Sequence, residues 1–556
     1  MMGNLDRIKS NSILFCASLL ACMRMYGQDP AWTEPPRLVV GIVVDQMRVD
    51  YIYRYWDNFG DGGFKRLINE GSFQRNAQFD YAPTETGPGH ASIYTGTTPA
   101  DHGITFNDMF FGTDDTLNYC VKDQSVKGVG CGEASGHSSP QNLIASTLAD
   151  ELELATERRS KTIGIALKDR SAILPIGRTG DAAYWFIPDD EGAFATSTWY
   201  RNELPEWLMA FNAEKRQINY LQNKWDLLLP IERYRQVMPD DNPYEEPIPG
   251  TTSPTLPMDL QAMFKATGSA EVIKYTPWGN TLTTDLALAA IAGEELGADD
   301  VTDLLALSYG SPDELAHELG PRAVELEDMY VRLDQELKRL FAELDTRVGT
   351  GKYTVFLTAD HGVVDVPQYL KDLKSSAGYI DKKSARKGLN EALAKRFGEG
   401  EWVRSIRRGQ VFLNDSLMQA RKIIPEEIQR ATVDHMQLDP NVIVALSATD
   451  LARNQYTDGV RRTIQRGFMV QRSGDVVMVY RPNYLESYYG TTKGTTHMTP
   501  WNYDTQVPVI FYGQGIRQGE IMERTSITDI VPTVCAIVGI SLPNAASGNV
   551  VERALK

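Results

Sequence analysis

Arg37-Leu38-Val39-Val40-Gly41-Ile42-Val43-Val44 is an unbroken run of branched aliphatic residues around one glycine, and Asp45 ends it. Apolar side chains at successive positions, without alternation, are what a strand buried on both faces requires, as in a parallel sheet. The same pattern recurs outward along the chain. Lys161 to Leu167 is a second such strand, followed at once by Lys168-Asp169-Arg170. Leu304 to Ser308 is a third, followed by a loop holding Asp313 and His317. Thr354 to Thr358 is a fourth and ends at Asp360-His361; Val507 to Phe511 is a fifth and comes after His497. Between them lie helical patterns over Phe64 to Glu70, Asn142 to Leu154, Leu282 to Leu296, Ala323 to Leu344 and Asp529 to Val538. Strands alternating with helices predict an α/β fold, a doubly wound, mostly parallel sheet with helices on both faces. Two stretches break the pattern. Residues of about 181–275 are aromatic and Pro-rich, with one helix expected near Glu206 to Tyr220. Residues 368–480 are Lys/Arg-rich early and then carry short strands and helices, which reads as an inserted α+β cap. The core then comprises 36–367 and 481–556.

At 556 residues the chain exceeds one simple core. Apolar residues make up 42% and charged residues 23%, the balance of a globular protein. The net charge of −17 argues against nucleic acid and anionic membrane surfaces as partners. A site for phosphate in such a chain must supply its own local positive charge. Residues 1–27 have the form of an export signal: Arg7 and Lys9, then the apolar run Ile13 to Met23, then Gly27-Gln28 as a cleavage point. The expected location is secreted or periplasmic. Leu19-Leu20-Ala21-Cys22 also matches a lipobox, so a lipid anchor at Cys22 stands as the lesser alternative. The run is too short to span a bilayer, and no other stretch is long and apolar enough for a transmembrane span. Two of the five cysteines, Cys16 and Cys22, belong to this leader. Cys120 and Cys131 lie close together in a turn-rich segment, a spacing that permits a disulfide in an oxidising compartment. Cys535 sits in an apolar helix and is expected to be buried and inert. Nothing in the sequence speaks to oligomeric state.

The chemistry centres on Thr84-Glu85-Thr86-Gly87-Pro88-Gly89-His90-Ala91-Ser92. Two glycines flank Pro88, which is suited to open a helix because its missing N–H goes unused there. Thr86 then lies at a helix N-terminus, where free N–H groups and the dipole favour an anion. Taken alone, the stretch reads first as a Thr capping an ordinary helix. The rest of the chain changes the balance. In doubly wound sheets ligands bind beyond the carboxyl ends of strands. Asp45, Asp313, His317, Asp360 and His361 all follow core strands, as does Lys168-Asp169-Arg170, and His497 enters another. Three Asp and three His make two sets of three mixed N and O donors, which suits zinc with an open coordination position. Two ions about 4 Å apart can clamp the attacking and leaving oxygens of a displacement at phosphorus.

The chain resembles the alkaline phosphatase superfamily, in the Thr-nucleophile branch shared by nucleotide pyrophosphatase/phosphodiesterases and a group of secreted bacterial phosphomonoesterases. The resemblance rests on Val43 to Met47, Thr86 to Gly96, His102 to Asp108, Leu167 to Leu174, Ser311-Pro312-Asp313 with His317 and Gly320-Pro321, Thr358 to Gly362, and Gly494 to His497. It implies an alkaline-phosphatase-like fold and a two-zinc phosphomonoesterase that works through a phosphothreonine on Thr86 and takes small phosphate esters. It implies one zinc held by Asp313, His317 and His497 and the other by Asp45, Asp360 and His361. Asn107 is the implied donor to a phosphate oxygen, and Lys168 with Arg170 resemble the cation pair that marks the monoesterases. Fixed cations aimed at the extra non-bridging charge of a monoester favour it over a diester. The alternatives are a phosphodiesterase or nucleotide pyrophosphatase on the same scaffold and, further off, a secreted binding protein with a dead site. One position departs from the family: Ala316 stands where Gly is common, which bears on loop geometry. His90 and His102 match family positions that are not ligands and are expected to be structural.

Overall fold

The computed structural model describes residues 34–110, 117–486 and 492–556. The expected leader, 1–27 with Cys22, lies outside the described residues. The strands that matter run, in chain order, β1 (Leu38–Val44), β2 (Ser72–Gln78), β3 (Thr162–Ala166), β4 (Ala182–Ile187), β5 (Ala193–Ser197), β6 (Asp303–Tyr309), β7 (Tyr353–Thr358), β8 (Val403–Arg407), β9 (Gln410–Leu413), β10 (Val442–Ser447), β11 (Val476–Tyr480) and β12 (Gln506–Gly513). The helices are α1 (Thr86–Thr95), α2 (Asp169–Ile176), α3 (Pro277–Gly293), α4 (Ser311–Leu319) and α5 (Val324–Leu344).

One large sheet carries the order β2-β12-β7-β1-β6-β3-β4-β5. From β7 through β1, β6 and β3 to β4 every pairing is parallel, and β12 is the antiparallel strand between β7 and β2. Every residue of β1 is buried, as its unbroken aliphatic run requires. Gly41 interrupts that run because its space is taken. A Cβ there would stand 2.3 Å from the Tyr94 hydroxyl of α1 and 2.4 Å from the Phe356 ring of β7. Helix α2 packs on β3 and β4, α1 packs on α2, and α3 packs on α5. In β1, Val43 lies beside Ser308 on one side and Thr358 on the other. Carried two residues further, this register brings Asp45 alongside Asp360 at the carboxyl ends of their strands.

Strands β8 to β11 form a separate antiparallel sheet within the stretch 368–480, in the order β8-β9-β11-β10. It has its own apolar cluster, including Leu389, Leu393, Trp402, Val411, Ile428 and Val476.

Several expectations need correction. Asp313 and His317 sit on helix α4, not on a loop; Pro312 opens it, and a spacing of four puts both side chains on one face. The stretch expected to be irregular from 181 begins with β4, a core strand. Its apolar run lacks alternation because it too is buried on both faces. The helix expected over Asn142 to Leu154 starts only at Leu148, where Thr147 and Asp150 form a capping box. The helix near Glu206 to Tyr220 is two helices, Glu206–Ala213 and Arg216–Tyr220, broken where Lys215 adopts a φ of 49°. Helix α3 begins at Pro277, five residues before its expected start at Leu282. Cys120 and Cys131 are both free thiols. Cys120 is fully buried in an apolar cluster with Ala91, Ile104 and Ile173, and its sulfur packs beneath Gly87.

His102 is structural, as expected, and fully buried. Its Nδ1 accepts from the Ile104 N–H at 3.1 Å, so its Nε2 carries the proton and donates to Ser92 Oγ at 2.9 Å. Burial, with Arg472 nearby, pushes its pKa down to about 3. The unfolded chain takes up a proton near the ordinary value of about 6.5 and the folded chain does not. His102 therefore stabilises the fold above pH 6.5, and that contribution is lost as pH falls from there toward about 3. Urea unfolding from pH 7 to pH 4.5 is expected to show a shallower loss of stability in His102→Gln than in the native chain.

Candidate functional site

The carboxyl ends of β1, β6, β7 and β3 open onto one place. Helix α1 enters it with Thr86, α4 with Asp313 and His317, and the start of α2 with Lys168 and Arg170. Gly89 lets α1 lie directly on the end of β7, since a Cβ there would stand 2.4 Å from the Asp360 carbonyl oxygen. All ten residues singled out from the sequence converge here.

Asp45, Asp360 and His361 are fully buried and close together. His361 Nε2 is 3.5 Å from Asp45 Oδ1 and 3.6 Å from Asp360 Oδ2. Asp313 and His497 also approach His361, whose ring stacks on that of His497 with centroids 3.6 Å apart. His317 Nε2 is 3.1 Å from Asp313 Oδ1. The three histidines share one arrangement. Each Nδ1 is engaged by a backbone carbonyl: that of Gly362 for His361 at 3.0 Å, Thr495 for His317 at 3.0 Å, and Thr84 for His497 at 2.6 Å. This fixes the tautomer and turns each Nε2 inward, the orientation a metal-ligating imidazole takes.

The electrostatics are unbalanced. Burial and the adjacent Asp45 push the Asp360 pKa well above the usual carboxylate range. Burial, with His361 and His317 beside it, keeps His497 neutral. Burial opposes ionisation of Asp313, but His317 and Lys168 overcome it and hold that carboxyl well below its ordinary value. Burial likewise disfavours the His317 cation, yet Asp313 raises it to about 9. Asp45 Oδ1, Asp360 Oδ2 and His361 Nε2 are buried polar atoms with no hydrogen-bond partner. Left so, they carry a desolvation cost that a bound cation removes. The donor set, the inward Nε2 atoms and the orphaned oxygens all fit metal ions.

Beside this cluster is a cavity of about 180 Å³, lined by Thr86, Asn107, Lys168, Arg170, Asp313 and His317 among others. Arg170 Nη2 lies 3.4 Å from Thr86 Oγ1. Asn107 Oδ1 accepts from the Gly87 N–H at 2.7 Å, which leaves its NH₂ as the donor available to the cavity. Lys168 lines the cavity but its Nζ is bound to carboxylates, 2.8 Å from Asp45 and 2.5 Å from Asp313. It already acts as a counter-charge within the acidic cluster. His90 holds the Thr86 carbonyl at 2.9 Å through Nδ1 and meets Ser308 Oγ through Nε2.

Four participants were not singled out by sequence. Gln46 donates from its backbone to Asp360 and from its side chain to Asp313. Tyr119 donates to Asp169 and accepts from Arg170 at 3.1 Å. Glu85 accepts from the Asn107 N–H at 2.8 Å. Arg408 reaches Glu85 from the β8–β9 turn. Gln46 and Glu85 adjoin motif residues, and that adjacency was the available signal. Tyr119 and Arg408 come from segments without a motif.

A family model described as type I phosphodiesterase / nucleotide pyrophosphatase matches residues 39–504. The protein named calcium-transporting ATPase of Myroides odoratus is 42% identical over 526 residues, covering 94% of this chain and 95% of that one. Alkaline phosphatase PafA of Elizabethkingia meningoseptica is 38% identical over 516 residues, covering 92% and 93%. A crystal structure of wild-type PafA superposes with a TM-score of 0.90 at 37% identity, covering 94% of this chain and all of that one.

The donor geometry generates a direct expectation. Elemental analysis of purified protein should find metal in the native chain and less in His361→Ala, whose Nε2 faces both groups of ligands. Equal metal content in the two proteins would show that these donors do not hold it.

Proposed function

Because the chain belongs to the type I phosphodiesterase / nucleotide pyrophosphatase family, within the alkaline phosphatase superfamily, we propose that it is a phosphomonoesterase that hydrolyses small phosphate esters through a phosphothreonine on Thr86. The observation that carries the reading is the Arg170 guanidinium 3.4 Å from Thr86 Oγ1, in a cavity of only about 180 Å³. Sites for drug-sized ligands run to about 300–1,000 Å³. This one has room for a phosphoryl group, with Arg170, the Asn107 NH₂ and Lys168 around it.

In this reading Asp45, Asp360 and His361 hold one zinc ion, and Asp313, His317 and His497 hold a second. Bound there, the ions supply positive charge that lowers the pKa of a facing hydroxyl and offsets charge on a leaving oxygen. Thr86 Oγ attacks phosphorus in line, and the ester oxygen departs on the far side. The N-terminus of α1 and the Gly87 N–H stay fixed while charge moves, because Asn107 and His90 hold that turn. Arg170 grips the equatorial oxygens; Tyr119 holds its Nη1, and Asp169 holds Tyr119 and the Arg170 backbone N–H. Water then displaces Thr86 from the vacated side, and two inversions give net retention. The transition state is loose, so positioning and charge supply most of the rate. A nucleoside triphosphate ends in the same highly charged phosphoryl group, joined through an anhydride oxygen instead of an ester oxygen. No helix among the described residues is long and apolar enough to cross a membrane. From the name of the Myroides relative we take phosphoryl-bond hydrolysis alone. The proposal also includes export after cleavage of residues 1–27, and residues 368–480 as a cap over the core.

The test is hydrolysis of an aryl phosphate monoester beside its methyl diester, with zinc-loaded protein. The native chain is expected to prefer the monoester. Thr86→Ala should abolish turnover, and Arg170→Ala should cost about 10²–10³-fold on the monoester, the scale of one lost charge-stabilising donor, with far less effect on the diester. A diester preference in the native chain would move the assignment to phosphodiesterase.

A further inference from the structure

Arg408 sits at the turn between β8 and β9, in a stretch where the sequence shows no motif. Its φ of 53° is in the left-handed region that non-glycine residues rarely occupy. The turn is held in that state from below. The N–H groups of Arg408 and Gly409 donate to the two carboxylate oxygens of Glu486, at 2.7 and 2.8 Å. Gly409 follows with a φ of 67°, so the two residues make the tight turn that matches hairpin twist, and Arg408 projects from its corner.

That side chain is only 7% exposed and lies over the Phe106 ring. Its Nε is 2.7 Å from Glu85 Oε1, and its Nη2 is 3.3 Å from Asp108 Oδ2. Glu85 immediately precedes Thr86, and Asp108 immediately follows Asn107. One guanidinium therefore bridges the loop of the hydroxyl and the loop of the amide. Glu85 extends the link through its other oxygen, which accepts from the Asn107 N–H at 2.8 Å, and Asn107 Oδ1 closes it on the Gly87 N–H. A buried ion pair contributes little net stability, because desolvation offsets the attraction. What this one does fix is relative position: the guanidinium pairs with Glu85 on its Nε side and donates to Asp108 through Nη2, a reach along its plane that the point charge of Lys lacks.

We propose that Arg408 is a positioning residue: from the inserted sheet it sets the spacing between Thr86 and Asn107, so that the Asn107 NH₂ faces the transferred phosphoryl group. The inference rests on the phosphoryl-transfer reading of the cavity. Its mark is that Arg408 acts through Asn107.

The test is a double-mutant cycle on zinc-loaded protein with the aryl monoester. Arg408→Ala is expected to lower kcat/KM by about 10- to 100-fold, the scale of a displaced supporting contact, with metal content kept and Tm lowered, because Glu85 is left buried without its partner. In an Asn107→Ala background the same substitution is expected to change kcat/KM less than about twofold, since coupled residues are non-additive. Arg408→Lys, which cannot bridge both loops, should fall between native and Ala, and it completes the same cycle if Arg408→Ala does not fold. Unchanged activity in Arg408→Ala, or its full loss repeated in the Asn107→Ala background, would overturn the proposal. Should the native chain prefer the diester, the monoesterase reading fails separately, and the cycle is scored on the diester.

Discussion

The site depends on one constraint: parallel strands that end level with one another bring carboxylates together where water cannot reach. The register of β1 against β7 sets Asp45 beside Asp360, and both are fully buried. Two like charges in such a place cannot both ionise unaided, and the raised pKa of Asp360 is the consequence. Lys168 relieves Asp45 and Asp313, and Gln46 donates to Asp360 and Asp313. Three atoms remain orphaned even so. The fold spends stability to hold this cluster, and backbone carbonyls turn its histidines inward.

That arrangement explains how much of the site was legible. A strand buried on both faces must be an unbroken apolar run, and the residue just after it must stand at the sheet's carboxyl edge. Asp45, Lys168, Asp360 and His361 could therefore be placed from sequence, as could Thr86 from the Gly-Pro-Gly turn. Asp313 and His317 were placed in the right region but on the wrong element, since a loop was expected where Pro312 opens α4. Strand β4 was missed for the reason β1 was found. Its apolar run is as continuous, but the aromatic and Pro-rich residues after it obscured the boundary. Whether Cys120 and Cys131 pair was not legible, because proximity in sequence says nothing of depth: Cys120 lies under Gly87, and its thiol is packed rather than paired.

Tyr119 and Arg408 illustrate a different limit. Their roles come from contacts that no spacing encodes: Tyr119 with Arg170 across 51 positions, and Arg408 with Asp108 across 300. Local periodicity reports which face a residue shows to the core. It does not report which distant side chain it will meet, and supporting contacts are made almost wholly of such meetings.

The distribution of these contacts separates two kinds of work. Asp45, Asp360 and His361 come from strand ends, where the rigid sheet fixes them, while Asp313 and His317 come from helix α4. Thr86, Asn107, Lys168 and Arg170, which line the cavity beside them, come from helix N-termini and loops, which need outside support to be equally exact in position. Arg170 receives it from Tyr119 and Asp169. Thr86 and Asn107 receive it from His90 and Glu85 and, through Glu85, from Arg408. The inserted sheet is thus more than an ornament on the core. It has its own apolar cluster, and the turn between β8 and β9 brings the buried Arg408 side chain to Glu85, next to Thr86.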